Sequence, residues 1–341
     1  MTAGTEEGLG EYGQDLLPGA RNAIQTCLRV RPEEHVTILT DAQTAEIARS
    51  LADCVREVGA SGELHLMEDY GERPMLELPL EIREAFERAD VTIYAGQPKT
   101  GELAARREMT EIVNRRRIRH AHMVSISREI MLGGMRADFA LVDAISTRVL
   151  ARAEKAERIR ARSRGGSEIE ATFDPSIRWL KTSGVITGDK WANLPGGEVL
   201  TAPARVDGVY VVDGVLGDFL GSRYGDMWEN PLTVWIENSR VADAKCSRPE
   251  ILEDFLSYVN TTENSDRVGE FAIGTNVGVQ AIIGNILQDE KLPGLHLAFG
   301  HTYAEHTGAP WGCPTHLDIV GRHFDVWFDE EKIMEDGKFL I

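Results

Sequence analysis

The sequence predicts an α/β N-terminal domain with a mainly parallel sheet over residues 1–165, followed by an α+β catalytic domain with a mixed sheet over residues 166–341. Strand and helix patterns alternate regularly up to about residue 135. Gly165 and Gly166 then interrupt a charged segment, and strand patterns cluster after them. A chain of 341 residues is long enough for two domains that each bury a core.

The N-terminal half begins with a polar, glycine-rich arm over 1–17, and residues 18–30 have the apolar spacing of a helix. The predicted strands that follow are 35–40, 63–67, 91–95 and 122–126, and the predicted helices are 45–58, 80–88, 101–117 and 129–135. This alternation indicates a parallel sheet with helices on both faces. No Gly-x-Gly-x-x-Gly follows a strand and no phosphate loop is present, so we assign no nucleotide to this domain.

The segment 147–164 is rich in Arg, Ala and Glu, and its periodicity predicts a long helix that connects the domains. We interpret its basic run, 158–164, as a solvated helix face. Beyond it, the predicted strands are 168–173, 177–182, 199–201, 208–212, 232–237, 294–299, 316–320, 325–329 and 338–341, with helices at 249–259 and 277–287. This pattern is typical of a mixed or antiparallel sheet.

The composition restricts the partners of the protein. Its 55 acidic and 37 basic residues give a net charge of −18, which disfavours binding to nucleic acid or to an anionic membrane. There is no apolar run long enough to span a bilayer, and the N-terminal residues lack the features of a signal peptide. The 4 cysteines are scattered, without a Cys-x-x-Cys pair, so we expect a reducing, cytoplasmic location.

Histidines concentrate near the C-terminus, within residues 296–318. His316 and Asp318 belong to a predicted strand, on which positions i and i+2 point to the same face. An imidazole beside a carboxylate forms half of a site for a divalent metal, although a single pair of this kind is ordinarily a hydrogen-bonded surface couple. His296 lies on a second predicted strand that runs into a glycine turn.

Two glutamates occur in unusual settings upstream. Glu198 follows the turn Pro195-Gly196-Gly197, where the alternative is an exposed hairpin glutamate. Glu270 begins an apolar strand, so it must be paired or liganded unless that end of the strand faces solvent. With Tyr303 and the residues above, three carboxylates, two imidazoles and a phenol are available. Crowded carboxylates repel each other unless cations neutralise them, and two divalent ions that share a carboxylate would do so.

Five ordered segments resemble the thermophilic aminopeptidase T family of metallopeptidases. They are 193–203, 269–276, 284–291, 296–303 and 316–318, which together span the region from about 190 to 320. The N-terminal half resembles the α/β domain of that family only in its pattern. Because the five segments keep their order, the resemblance is much more specific than any one of them.

The resemblance implies the metal ligands Glu198, Glu270, His296, Tyr303, His316 and Asp318. It also implies two divalent ions (zinc, cobalt or magnesium), a bridging hydroxide as the nucleophile, and removal of N-terminal residues from short peptides by a homodimeric metalloaminopeptidase. Glu270 and Tyr303 are the predicted catalytic residues, with the Tyr303 hydroxyl stabilising the oxyanion. The sequence leaves open which carboxylate acts as the base.

The wider superfamily also contains iron-dependent ring-cleaving dioxygenases of dihydroxypyridine, and residues 313–318 resemble their C-terminal motif. Such chemistry needs two histidines and one carboxylate around an open Fe(II). In those enzymes a histidine replaces the equivalent of Glu270, and the equivalent of Glu198 is missing. The two glutamates therefore favour the hydrolase, while His301 or His306 could supply a second imidazole for iron.

Two further alternatives stay open. The chain could be a non-catalytic member that binds a small molecule, although all six metal-binding positions are present. His120 and His122, on the fourth predicted strand, could form a separate metal pair, but a hydrogen-bonded pair on a strand is the more ordinary structure.

Overall fold

The computed structural model describes residues 11–188 and 192–341, which divide into two compact units by their internal contacts. The first unit comprises Met1–Phe139 and Gly184–Gly196, and the second comprises Ala140–Ser183 and Gly197–Ile341. By internal contacts the chain thus enters the second unit at residue 140 and returns briefly to the first. The predicted boundary between domains at residue 165 stays a prediction.

The first unit contains a five-stranded parallel sheet with the order β2-β1-β3-β4-β8. Its strands are β1 (His35–Thr40), β2 (Ser61–Leu66), β3 (Val91–Gly96), β4 (Arg119–Val124) and β8 (Ala192–Asn193). Its helices are α1 (Leu17–Arg21, continued by a π-helical turn over Asn22–Cys27), α2 (Ala45–Glu57), α3 (Leu80–Arg88), α4 (Leu103–Arg116) and α5 (Arg128–Leu132). The predicted parallel α/β arrangement is confirmed.

Burial explains why these segments alternate. Every residue of β3 is buried, as expected for a central strand of a parallel sheet that is covered on both faces. Helix α2 buries Ile47, Leu51 and Val55, which lie on one side of the helix because they are four residues apart.

The second unit contains two antiparallel sheets, of eight and five strands. The larger has the order β12-β11-β10-β6-β5-β16-β17-β18, and the smaller has the order β15-β14-β13-β9-β7. Their strands are β5 (Arg158–Ser163), β6 (Glu168–Thr172), β7 (Leu180–Thr182), β9 (Glu198–Thr201), β10 (Arg205–Val212), β11 (Leu232–Glu237), β12 (Arg240–Lys245), β13 (Val268–Gly274), β14 (Gly294–Gly300), β15 (His316–Val320), β16 (Phe324–Phe328), β17 (Glu331–Glu335) and β18 (Lys338–Phe339).

One apolar core contains side chains from both of these sheets, which therefore pack against each other. The helices of this unit are α6 (Phe139–Ala153), α7 (Phe219–Tyr224), α8 (Pro249–Val259), α9 (Ile286–Asp289) and α10 (Ala304–Thr307). Strand β6 shows the pattern: Ile169 and Ala171 are buried in the core, whereas Glu168 and Glu170 are exposed. The predicted α+β region with its clustered strands is confirmed.

Two predicted helices are wrong in part. The helix expected over 147–164 ends at Ala153, and its basic run is the strand β5, in which Ile159 and Ala161 alternate with arginines and enter the core. The helix expected over 277–287 is reduced to the single turn α9. Gly284 has a φ of +78°, outside the range of a right-handed helix, so no helix can run through this position into α9.

Among the helices within residues 11–188 and 192–341, none combines the length and the apolar character needed to cross a bilayer.

Candidate metal centre

The polar side chains of the smaller sheet of the second unit lie on one face. Successive residues of a strand point to opposite faces, and here one face supplies apolar side chains to the core while the other carries the charged ones. The apolar core takes Val199, Phe271, Ile273, Leu295, Leu297, Phe299, Leu317 and Ile319. The intervening positions on the other face include Glu198, Glu270, His296, His316 and Asp318.

The strand register places these polar residues close together. Glu270 of β13 and Asp318 of β15 both pair with Ala298 of β14, so the two carboxylates flank a small side chain. His296 pairs with Ala272, one level along the same sheet. The sheet therefore leaves space between its acidic side chains, where a larger residue at position 298 would intrude.

A β-bulge lies next to Glu270. The register between β13 and β14 shifts between Val268 and Glu270, so Gly269 is an additional residue on β13. A Cβ atom at position 269 would lie 2.2 Å from the carbonyl oxygen of Gly300, so the close approach of these strands requires glycine.

Two groups of side chains have the composition of metal sites. One consists of Glu198, Glu290 and His296, and the other of Glu270, His316 and Asp318; within each group the potential ligand atoms lie within 4.8 Å of one another. His296 connects the groups, because its Nε2 atom is 3.6 Å from Glu198 Oε2 and 3.6 Å from Glu270 Oε1.

In the second group, His316 Nε2 lies 3.2 Å from Asp318 Oδ1 and 3.7 Å from Glu270 Oε2. Tyr303 precedes α10 in a left-handed backbone conformation, with φ 48° and ψ 44°. This conformation brings its ring to 5.5 Å from the ring of His316. The structure thus brings together all six residues that the sequence analysis selected, while their roles as ligands stay predictions.

The other two histidines of this stretch differ from each other. The half-buried His301 accepts a hydrogen bond at Nδ1 from the Tyr303 backbone N–H at 3.1 Å, and its ring lies 6.3 Å from that of His316. His306 is exposed and lies beside Glu305. Of these two, His301 is therefore the one that borders the candidate centre.

Sequence reasoning missed two residues of this cluster, Glu290 and Lys291. The Lys291 side chain is only 1% exposed, and its Nζ atom contacts Glu198 Oε1 at 2.7 Å and also the Glu290 carboxylate. Both residues lie in the segment 284–291, which matched the family but suggested no role. A Glu-Lys pair directly before a buried strand was the available signal, because buried charges require partners.

The charged groups of the cluster shift one another's pKa values. Burial raises the pKa of Glu198, but Lys291 and His296 outweigh this effect and hold it below its usual value. Burial lowers the pKa of His316, but the nearby carboxylates of Asp318 and Glu270 raise it to about 10. In Glu290, burial prevails over Lys291 and raises the carboxyl pKa to about 8.

Burial and the surrounding carboxylates, Glu270 and Asp318 foremost, raise the pKa of the Tyr303 hydroxyl well above 10. Tyr303 therefore keeps its proton at neutral pH and can donate a hydrogen bond.

The residues present fit divalent metal ions. Within the described part of the chain, the buried His296 Nε2 atom, which faces carboxylates of both groups, has no hydrogen-bond partner, and such orphaned polar atoms are rare. Imidazole nitrogens and carboxylate oxygens are ligands of zinc, cobalt and manganese. A metal ion would satisfy groups that the described protein atoms do not.

Residues 146–310 match the sequence model of a protein family that is described as thermophilic metalloprotease (M29). The metalloprotease match includes Glu198, Glu270, His296 and Tyr303, and it ends before β15. The family resemblance predicted from the motifs is confirmed.

Two solved structures share the fold over almost their whole length. A 2,5-dihydroxypyridine dioxygenase from Pseudomonas putida KT2440 has a TM-score of 0.68 and 16% identity, covering 95% of this chain and 96% of that chain. Wild-type AmpT from Thermus thermophilus has a TM-score of 0.67 and 16% identity, covering 96% and 99%. No curated protein matches the sequence significantly. At this identity the likenesses establish the fold, and the fold is common to both.

Proposed function

We propose that the protein is a metal-dependent aminopeptidase that removes N-terminal residues from short peptides with two divalent ions. The observation that supports this function best is the pair of carboxylate–imidazole groups on one sheet face, joined through His296. Glu198 supplies a carboxylate to one group, and Glu270 supplies one to the other. The match to thermophilic metalloproteases supports the same class of chemistry.

The charge of the cluster favours two ions. In the forms that bind a metal ion, with ionised carboxylates and neutral imidazoles, Glu198, Glu270, Glu290 and Asp318 together with the Lys291 ammonium give a net charge of −3. One divalent ion would leave the cluster with a net charge of −1, whereas two ions would give it a net charge of +1. A hydroxide nucleophile would neutralise that remaining positive charge.

Glu198, Glu290 and His296 would hold one ion, and Glu270, His316 and Asp318 the other, with Tyr303 as a further ligand or hydrogen-bond donor. When bound, two such ions supply an activated water as the nucleophile and polarise the scissile carbonyl. The buried position of the carboxylates on a rigid sheet keeps them oriented without rearrangement.

Tyr303 and the acidic side chains would each act on a different part of a peptide. The protonated Tyr303 hydroxyl can donate a hydrogen bond to the oxyanion that forms at the carbonyl. The free α-ammonium group of a peptide carries the charge that a carboxylate of this cluster attracts, which would select chain ends. Glu270, whose side chain faces both His296 and His316, is our choice for the catalytic carboxylate.

A second candidate is a non-haem Fe(II) dioxygenase that cleaves a hydroxylated pyridine or a related aromatic ring. The fold likeness to the Pseudomonas enzyme and the position of His301 beside His316 support it. It leaves Glu198 without a function, since a two-histidine, one-carboxylate site needs no further acidic ligands. For this reason the aminopeptidase remains our proposal.

Metal content and substrate turnover distinguish the two functions. The purified protein would be analysed for bound elements and assayed with leucine and arginine p-nitroanilides after addition of cobalt or zinc. About two non-iron ions per chain with amide cleavage are expected. One iron per chain, no cleavage, and oxygen uptake with a dihydroxypyridine would instead establish the dioxygenase.

We also propose that the protein acts in the cytoplasm as a homodimer. The family resemblance and the scattered cysteines support this proposal. Light scattering of the purified protein would give its mass, and a monomer at micromolar concentration would contradict the dimer.

A further inference from the structure

Lys291 makes the two candidate metal groups unequal. Its side chain is almost fully buried, and its ammonium contacts Glu198 at 2.7 Å and also Glu290. Both carboxylates belong to the group completed by His296. The Lys291 backbone is also held, because its N–H donates to Gln288 O at 2.9 Å and its carbonyl accepts from Asn276 N–H at 3.0 Å.

The other group has no such cation. Among the described residues, no lysine or arginine nitrogen lies within 4 Å of the Glu270 or Asp318 carboxylates, whose charged neighbours are histidines. With neutral imidazoles, Glu270 and Asp318 therefore present a charge of −2. Glu198 and Glu290, when both are ionised as ligands, present −1 once the charge of Lys291 is included.

We infer that Lys291 makes the ion site of Glu198, Glu290 and His296 the weaker of the two, so that the site of Glu270, His316 and Asp318 fills first. A cation that enters the site of Glu198, Glu290 and His296 meets the Lys291 ammonium, which already contacts two of the ligands of that site. Both repulsion and competition for carboxylate oxygens weaken its binding. In a buried site such charge effects are little screened, so the two dissociation constants differ by about tenfold or more.

Lys291 acts here as a positioning residue. When the second ion is absent, it keeps the Glu198 and Glu290 carboxylates together and prevents their mutual repulsion. The second ion therefore binds to carboxylates that are already gathered, and it remains exchangeable. This inference rests on the proposed two-metal function and adds an order of binding to it.

The test is a calorimetric titration of the chelator-treated, full-length protein with Co²⁺, with bound cobalt counted by elemental analysis. Two steps are expected in the wild-type protein, separated by about tenfold or more in affinity. Lys291→Gln should tighten the weaker step by about tenfold and leave the tighter step unchanged. Equal steps, or a weaker step that Lys291→Gln does not alter, would overturn the inference.

Lys332→Gln is a matched control for this variant. Lys332 also joins two carboxylates, Asp325 at 3.0 Å and Glu335 at 2.7 Å, but it lies on β17, outside the smaller sheet that carries the candidate ligands. Its replacement makes the same change in charge and should leave both steps unchanged.

A second pair of variants tests the assignment without altering Lys291, and so stands even if Lys291→Gln does not fold. Glu290→Gln should remove only the weaker step, and His316→Ala only the tighter one; the reverse pattern would contradict the inference. The results also distinguish failure of this inference from failure of the proposed function. A wild-type protein that binds no cobalt refutes both, whereas one that binds two ions equally and cleaves peptides refutes only the order.

Discussion

Both units of the molecule bury carboxylates and imidazoles, but they treat them in opposite ways. In the first unit Arg73 lies between Asp41 and Glu102, with its Nη1 atom 2.8 Å from Asp41 Oδ2 and its Nη2 atom 2.5 Å from Glu102 Oε2. All three side chains are at most 3% exposed. In the second unit, Lys291 contacts two of the four carboxylates, Glu198 and Glu290, and His296 Nε2 has no described hydrogen-bond partner.

The two carboxylates of the first unit's network also accept hydrogen bonds from groups other than Arg73. Asp41 accepts hydrogen bonds from the Thr44 hydroxyl and from the backbone N–H of Gln97, and Glu102 accepts them from Lys99 and Met75. The imidazole pair of this unit, His120 and His122, is also hydrogen-bonded. His120 bonds to Thr92 at 2.8 Å and to His122 at 3.2 Å. This hydrogen bonding favours the ordinary structural interpretation of that pair over a second metal site.

This difference shows how a buried cluster that needs a metal ion can be recognised. A buried acidic group whose cation and backbone donors come from the protein itself is a structural element. A buried group in which no lysine or arginine contacts some of the carboxylates, and in which an imidazole nitrogen lacks a partner, requires charge from outside the chain. The four predictions below test this contrast.

The largest effect is expected from Glu270→Gln, which removes a charge from the centre of the proposed site with little change in shape. We expect turnover to fall by about a thousandfold or more and ion binding to weaken. Turnover of a leucine p-nitroanilide and elemental analysis would measure these changes. Glu170→Gln, on the exposed face of β6, is the control and should behave like the wild type. A fully active Glu270→Gln enzyme would refute the assignment.

Arg73→Met should break the self-contained network of the first unit. It leaves Asp41 and Glu102 buried without their cation, at an expected loss of about 3–5 kcal/mol in the free energy of unfolding. Urea denaturation would measure the loss, and added divalent ions should not restore it. The control Arg88→Met removes an exposed partner of Glu63 and should alter stability by less than about 1 kcal/mol. Equal losses in both variants would show that burial of Arg73 is unimportant.

Divalent ions should stabilise the second unit. An ion that binds only the folded state adds about 2.7 kcal/mol at a concentration one hundred times its dissociation constant. Thermal melting of the wild-type protein with cobalt and with a chelator should show the difference, which should shrink in Glu270→Gln. If the wild-type melting temperature is the same in both conditions, the site does not bind ions in the folded protein.

Changes of pH should affect the two units with opposite signs. Burial lowers the pKa of His120 from 6.5 to about 3, so the unfolded state binds more protons between these values. The stability contributed by the neutral His120 is full above pH 6.5 and falls as the pH drops toward 3. The loss is about 1.4 kcal/mol per pH unit at most. His120→Asn should reduce this slope in acid denaturation curves; an unchanged slope would contradict the buried neutral imidazole.

In the metal-free second unit the sign is reversed. Because the carboxylates raise the pKa of His316 to about 10, its charged form stabilises the fold fully below pH 6.5. That contribution disappears as the pH rises through 10. Ion binding requires the neutral imidazole, so it should release a proton and weaken as the pH falls. Calorimetry in two buffers of different ionisation enthalpy would measure the proton release, which His316→Ala should reduce.

Much of the site could be predicted from the sequence because its ligands lie on strands with a simple alternation. The His-x-Asp motif and the glutamate beside Gly269 specify side chains on one face, and the family motifs specify which strands meet. Lys291 could not be placed, because its partner Glu198 is far away in the sequence. The strand β5 was mistaken for a helix because arginine suits both conformations, and only its alternation with Ile159 and Ala161 distinguishes them.

The bulge at Gly269 interrupts the alternation of β13 next to a candidate ligand. Val268 and Phe271 both enter the apolar core although three positions separate them, which uninterrupted alternation would forbid. The strand therefore changes phase once, immediately before Glu270. Deletion of this glycine would restore uninterrupted alternation, with Val268 and Phe271 in the core and Glu270 between them on the ligand face. Deletion of Ala272, by contrast, would retain every ligand in the sequence, yet it would direct either Glu270 into the core or Ile273 toward the ligands. The metal centre is thus vulnerable to an insertion or deletion that a list of its ligands would never reveal.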